Sequence, residues 1–467
     1  MPAGSMAVYR EATGGEDRDS TSDINCTFDT TVFEDNRVFE IQSNRYDIEI
    51  KERGHYLLLG NEVIDNDTGS NRLMHHARFV HNSNTLQSKG SGYIRMTQGC
   101  EESYVSVACI EDITTLNNNL KLVNKNVSTT TGANSTRRAN SSGLSLLKLD
   151  DSWDYIRLTA YTGVPGPLQN LGGAIGWSTQ DEYDTGSFNH SPSARNSRVG
   201  LKKVGWYLCC FTIDATANNV PASRCSAYSY IRFNGSTVHK NSTWGVYSRQ
   251  TEGCSRLALS GVCLIYNSTA NDYIEFIGAT GGGGGASINQ DVTHWQMCKL
   301  PDEVINVLEI QDSTGSQSMD VTQTPFDYDA ETYDDSAFEH STSTNKDDVT
   351  IKKPGPFLFI GTGRATYAPA TNTRYNSLLK FRKDGTDLQY GQGGNYFRNG
   401  TVDDYGFGAA LIFPDLDVDD VIDLTREDES SSTGAAPTTV ANYTGMQALY
   451  LPSIFPPQGG HWIENAY

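Results

Sequence analysis

The sequence predicts an all-β chain made of three tandem copies of one sandwich domain of about 150 residues. Three observations carry this: a length of 467 residues, a composition built for strands and turns, and a set of anchors that recurs at one period. The length exceeds one ordinary core and suits about three domains. Apolar residues make up 37%, and the 24 Tyr, 17 Phe and 44 Gly favour short strands joined by polar turns.

The first anchor is a glycine inside an apolar run. Tyr46–Leu59 carries Gly54, Arg198–Phe211 carries Gly205, and Asp348–Ile360 carries Gly355. These glycines lie 151 and 150 residues apart (205 − 54 and 355 − 205). A glycine there predicts a turn or bulge. The second anchor is Tyr93-Ile-Arg95-Met-Thr97-Gln-Gly99-Cys100, matched by Tyr247-Ser-Arg249-Gln-Thr251-Glu-Gly253-Cys254. The third copy keeps only Tyr396-Phe-Arg398. The first two copies add Cys109 and Cys263, and the third lacks both cysteines of the pair, which points to packing rather than catalysis or metal binding. The third anchor places Phe28, Trp177 and Phe326 at a constant spacing of 149 (177 − 28 and 326 − 177), each before an acidic aromatic loop.

Each copy then reads as eight to ten strands. Asn234-Gly235 and Asp384-Gly385 follow alternating residues and predict hairpins. Loops rich in Gly, Ser and Thr are expected over 128–142, 279–287 and 430–439, each before a closing strand. The copies span 1–150, 151–303 and 304–467, with Met1–Asp23, which carries a short strand-like piece at Met6–Arg10, and 452–467 as extra end segments.

With these elements in order, the chain resembles the ten-stranded jelly roll of the tumour-necrosis-factor and complement globular-head superfamily. Similar domains serve as head decoration (cement), knob and fibre proteins of tailed bacteriophages. The resemblance implies three jelly-roll β-sandwiches that associate through aromatic-rich faces around a threefold axis. Short tethers between copies, roughly five residues, reach at most about 18 Å, so the copies must be neighbours. One chain folding into an intramolecular pseudo-trimer is the expectation; three chains side by side, stacking three true trimers, is the alternative.

The chemistry of sites is sparse. No His-Glu-x-x-His, Cys-x-x-Cys or Gly-x-Ser-x-Gly occurs. His75-His76 would face opposite sides of a strand, which makes a poor metal site. The five glycines 281–285 lack the lysine of a phosphate loop. Asp415, Asp417, Asp419, Asp420 and Asp423 invite a calcium reading, but a solvated acidic strand edge is favoured. No catalytic, cofactor or metal residue is assigned.

The net charge of −20 repels phosphate backbones, so neither nucleic acid nor an anionic membrane is an expected partner. Nine cysteines, several in apolar runs, together with a polar start that lacks an apolar leader, point to synthesis in a reducing host cytoplasm without a signal peptide. The expectation is a non-enzymatic virion structural protein on the capsid exterior, with the major capsid protein, other virion proteins or itself as partner. Phe455, Trp462 and Tyr467 on the Pro/Gly-rich tail are the candidate anchoring residues. A receptor- or glycan-binding fibre module is the alternative, with Tyr183, Phe188, Tyr333 and Phe338 stacking on sugars; the equivalent loop of copy one carries Phe33 and Phe39, and this repetition in all three copies favours packing over ligand contact. A depolymerase of cell-surface polymers is the remote third reading.

Overall fold

A computed structural model describes residues 4–66, 72–95, 100–116, 119–129, 134–160, 167–168, 172–194, 196–217, 224–249, 253–281, 286–289, 292–302, 305–366, 374–398, 404–429 and 436–454. Among them the strands form six antiparallel sheets, two per copy, and no α-helix.

The strand order defines the architecture. In the first copy an edge strand, Glu102–Ile113, pairs with a long strand, Gly54–Asn66. The long strand pairs with a closing strand, Ser142–Lys148, which pairs with an opening strand, Met6–Glu11, and that with Thr30–Glu34. The second sheet runs Phe39–Ile41, Ile48–Ile50, Asn119–Asn126, Arg72–His81, and then an axial strand, Gly90–Arg95. Strands close in sequence alternate between the two sheets, which is the winding of a jelly roll.

The other copies repeat this order. Their edge, long, closing and opening strands are Arg256–Asn267, Gly205–Ala217, His294–Lys299 and Tyr155–Ala160, then Asp404–Leu416, Gly355–Thr366, Thr444–Tyr450 and Val307–Asp312. Their axial strands are Trp244–Arg249 and Gly393–Arg398.

The period glycines sit where the chain crosses from one sheet to the other. Gly54, Gly205 and Gly355 open the long strands at φ of 134°, 122° and 131°, a region that disfavours any side chain. The feature is a turn from one sheet to the other, and in the third copy the ladder also shifts register between Gly355 and Phe357. The hairpin signals also hold: Asn234 and Gly235 have φ of 47° and 76°, Asp384 and Gly385 of 50° and 73°.

The strand-like piece expected at Met6–Arg10 is a strand, Met6–Glu11, and it pairs with both Ser142–Lys148 and Thr30–Glu34 inside a sheet. One expectation needs correction. The loops before the closing strands contain short strands, Ser135–Arg137, Ala286–Ile288 and Thr438–Thr439, each paired with the far end of its long strand. These are too short and polar to give a periodic apolar signal.

The packing explains why the long strands lack clean alternation. Tyr56 and Leu58 bury into the first sandwich, whereas Leu57 and Leu59 belong to an apolar cluster that continues through all three copies. Strands buried on both faces read as unbroken apolar runs.

Candidate functional site

The place where the copies meet is, among the described residues, built from side chains of all three. Tyr93, Tyr247 and Tyr396 occupy the same position of the three axial strands. Their ring centroids lie 4.9, 4.8 and 4.9 Å apart, and all three rings are buried. Three rings in mutual contact at near-equal spacing mark a pseudo-threefold axis; their tilted and edge-on arrangement is the favoured one for aromatics. Met74, Cys100 and Cys254 complete the cluster.

The axis is closed as a ring by one repeated polar contact. Each edge strand presents backbone groups on its open side. Gln296 Oε1 in the second copy accepts from Ile110 N in the first at 2.9 Å. Gln447 in the third copy accepts from Leu264 N in the second at 2.9 Å and donates to Leu264 O at 2.8 Å. Ser145 Oγ in the first copy accepts from Ile412 N in the third at 3.3 Å. The cross-strand partners of these side chains are Leu59, Cys210 and Ile360, each five residues after its period glycine. One position of the closing strand thus caps the neighbouring edge strand all the way round. Such side-chain capping prevents an open edge from pairing with a foreign chain.

Within this symmetry one residue breaks the pattern. The first position of the axial strand is Gly90 in copy one, Trp244 in copy two and Gly393 in copy three. Trp244 is buried and donates Nε1–H to Val262 O at 3.1 Å. Its ring lies against Gly261 of its own copy and Gly408 of the third. A cavity of about 20 Å³ remains beside it, lined in part by Ser91, Ser106, Ser260 and Tyr104. That is room for a single water among polar groups.

Ionisable groups are gathered at the seams. Between copies one and two, Lys89 pairs with the fully buried Asp214, and Arg157 with Glu111 at 3.1 Å. His55 stacks on Tyr155 at 3.7 Å and bonds Asp151 and Glu182. Between copies one and three, Glu429 meets Glu102, the Tyr104 hydroxyl and Arg138, the last at 3.2 Å. Arg138 also pairs with Glu102. One guanidinium does not neutralise two carboxyls in so buried a place. Burial, then the hydrogen bond and repulsion from Glu102, push the Glu429 carboxyl up to about 9.

This has a consequence for pH. An unfolded glutamate ionises near 4.5, while folded Glu429 holds its proton to about 9. Stability must therefore fall as pH rises through that window, by at most about 1.4 kcal/mol per unit from this group. Glu429→Gln keeps a neutral hydrogen-bonding side chain and is expected to flatten the melting temperature between pH 6 and 9. Melting curves across that range check this, and an unchanged slope in the variant would refute it.

The residues singled out from sequence are placed as follows. His75 and His76 do lie on opposite sides of their strand: His75 Nε2 reaches Ser135 Oγ at 3.3 Å, and His76 Nε2 reaches Arg256 O of the second copy at 3.1 Å. Burial holds His75 down to about 4 and His76 well below the usual range, so both imidazoles are neutral packing groups. All nine cysteines are buried thiols. In the acidic stretch Asp419 meets Lys352 at 3.4 Å, Asp420 meets Lys383 at 2.6 Å, and Asp423 meets Arg382 at 2.7 Å. No group of three or more His, Cys, Asp or Glu able to hold a metal is present among the described residues. Glycines 282–285 lie outside the described residues, as do Phe455, Trp462 and Tyr467.

The loop aromatics are turned inward, in the packing role that their repetition in every copy favours. Phe39, Phe188 and Phe338 are buried, and Phe33 and Tyr183 pack as half-buried rings on the core. Tyr333 packs between Trp206 and Tyr266 of the neighbouring copy at 4.7 and 5.1 Å. Hydrophobic surface removed from water outweighs exposure for display here.

No family model and no curated protein matches this chain. Among solved structures it is similar to murine APRIL, at 9% identity over 32% of this chain and 100% of that one, with a TM-score of 0.24. It is also similar to the Eiger TNF of S. frugiperda, at 12% identity over 32% of this chain and 95% of that one, with a TM-score of 0.25. The jelly-roll assignment rests on the strand order itself.

Proposed function

We propose that this chain is a structural protein of a tailed bacteriophage virion, bound outside the capsid as a knob, cement or head-fibre protein, and that it catalyses no reaction. The observation that carries this reading is the closed pseudo-trimer. Among its ionisable groups His75, His76 and Asp214 are buried and Glu429 is half-buried, within and between copies, where they hold the body together. A rigid body that offers shape and an acidic surface suits decoration, since binding only to the assembled particle stabilises that state by mass action.

The opening strand starts and the last strand ends at the same pole as the tethers between copies: Met6 pairs with Leu147, and Val307 with Leu449. The described chain ends at Ile454, four residues past Tyr450, and the aromatic residues beyond it in the sequence are the proposed anchor. Replacing Phe455, Trp462 and Tyr467 together by alanine is expected to weaken co-sedimentation with purified empty capsids at least tenfold, with the melting temperature unchanged. Undiminished binding by the variant would remove the tail from the proposal. No binding by the unaltered protein, beside hits on a glycan array, would replace capsid decoration with receptor recognition.

A further inference from the structure

We propose that copies one and two become joined covalently, by an amide bond that forms between Lys89 Nζ and Asn289 Cγ with Asp214 as the proton carrier.

Three side chains meet at the seam. Lys89 stands just before the axial strand of copy one, and its backbone N donates to Thr212 Oγ1 of copy two at 3.4 Å. Its Nζ donates to Oδ2 of Asp214, which is fully buried in the long strand of copy two. The Asn289 side-chain amide donates to the other oxygen of the same carboxylate, Oδ1. The backbone holds Asn289 there: its N donates to Asp214 O at 2.7 Å, and Thr293 Oγ1 donates to Asn289 O at 3.0 Å. An amine from one copy and a carboxamide from the next are thus fixed on one carboxylate. Folding supplies the proximity that a two-molecule reaction would have to gain by binding.

The electrostatics favour the amine as a nucleophile. Asp214 faces a second cation, Arg256, with Nε at 3.2 Å and Nη2 at 3.3 Å. One carboxylate does not balance both cations, and a guanidinium keeps its proton where a buried ammonium gives it up. Burial outweighs the attraction of Asp214 and, with Arg256 and Lys125 as nearby like charges, holds Lys89 below its ordinary range. A desolvated lysine amine is an activated nucleophile. On the amide side, Thr216 Oγ1 donates to Asn289 Oδ1 at 3.1 Å, where negative charge develops on attack.

The step balances with no outside reagent. Lys89 passes a proton to Asp214, and the free amine adds to Cγ of Asn289. The tetrahedral intermediate carries its negative charge on Oδ1, beside Thr216. Asp214 gives its proton to Nδ2 and takes one from the attacking nitrogen. The Cγ–Nδ2 bond breaks, the carbonyl re-forms, and ammonia leaves with the proton held by Asp214, as ammonium. The reaction occurs once per chain and consumes the chain's own side chains. It turns over no substrate and does not rest on the virion reading.

The arrangement belongs to one seam. Asp214 lies nine residues after its period glycine, where copies one and three carry Val63 and Arg364 (214 − 205, 63 − 54 and 364 − 355). Val63 packs with Leu378 of copy three, and Arg364 lies over the Tyr228 ring of copy two at 4.9 Å. The tether joins copies one and two beside the start of the long strand, where Leu149 N donates to His55 O at 2.8 Å. Asp214 lies toward the other end of its own long strand, so the bond fastens the seam away from the tether. It closes a loop of 200 residues (289 − 89), which restricts the unfolded chain.

The test uses the full chain. The intact mass of the folded protein is expected to fall one ammonia short of the sum of its residues. Proteolytic mapping is expected to recover a branched peptide that joins Lys89 to Asn289. Both signatures are expected to vanish in Lys89→Arg, which keeps a cation for Asp214, and in Asn289→Ala. Asp214→Asn keeps hydrogen bonds but cannot carry the proton, and is expected to slow bond formation by about 100-fold or more. An unaltered chain that melts cooperatively yet keeps its full residue mass overturns the proposal, whatever the variants do. Loss of ammonia without the branched peptide overturns it as well. A branched peptide formed with loss of water would place the bond on Asp214 and overturn the assignment of Asn289.

Discussion

Trp244→Ala is expected to destabilise the protein by about 3–5 kcal/mol, the usual result of emptying a buried tryptophan site. The site has little means of collapsing. Gly261 lies on one side of the ring and Gly408 of the third copy on another, and neither has a side chain to fill the space. The small cavity already present beside Trp244 would be enlarged rather than closed. Spread over 467 residues melting together, the loss corresponds to a fall of about 3–5 °C. A shift several times larger would mean that the second copy melts as a separate unit. An unchanged melting curve would contradict the plugging role assigned to this ring.

Gly393→Val and Gly90→Val are expected to have still larger effects, more than about 4 kcal/mol each, read as failure to fold or as loss of the compact form. A Cβ at Gly393 would overlap the backbone carbonyl oxygen of Gly408, and one at Gly90 that of Ser106. Both contacts join the axial strand to the edge strand of the same copy, where the two sheets of the sandwich approach each other. The obstacle is backbone, so no rotamer relieves it. The strands would have to separate on the side that faces the axis, and the tyrosine cluster three residues along would open with them. Normal expression and unchanged melting of either variant would refute the close approach.

The sequence made the repeat legible because its anchors are backbone requirements. Gly54, Gly205 and Gly355 serve a left-handed corner, and Asn234-Gly235 and Asp384-Gly385 serve turns that few other residues can make. The association face was legible only in part. Tyr93, Tyr247 and Tyr396 stood out as matched positions, but nothing local shows that three residues about 150 apart meet ring to ring. Gln296, Gln447 and Ser145 differ in type, so their shared task appears only once the edge strands they cap are in place. Trp244 aligns with Gly90 and Gly393, and no sequence signal marks it as a plug. Packing of the loop aromatics was legible from their repetition in every copy, but the ring that each packs against was not. Only the seam between copies buries Tyr333 against Trp206.

The central claim, that three jelly rolls of a single chain close around one axis, is tested most directly by small-angle scattering combined with solution mass. A closed pseudo-trimer predicts a particle of 51.2 kDa, with a radius of gyration of about 23 Å for a compact chain of this length. An elongated particle of three chains, or a single chain near ~35 Å as expected for three such domains strung in a row, would contradict it.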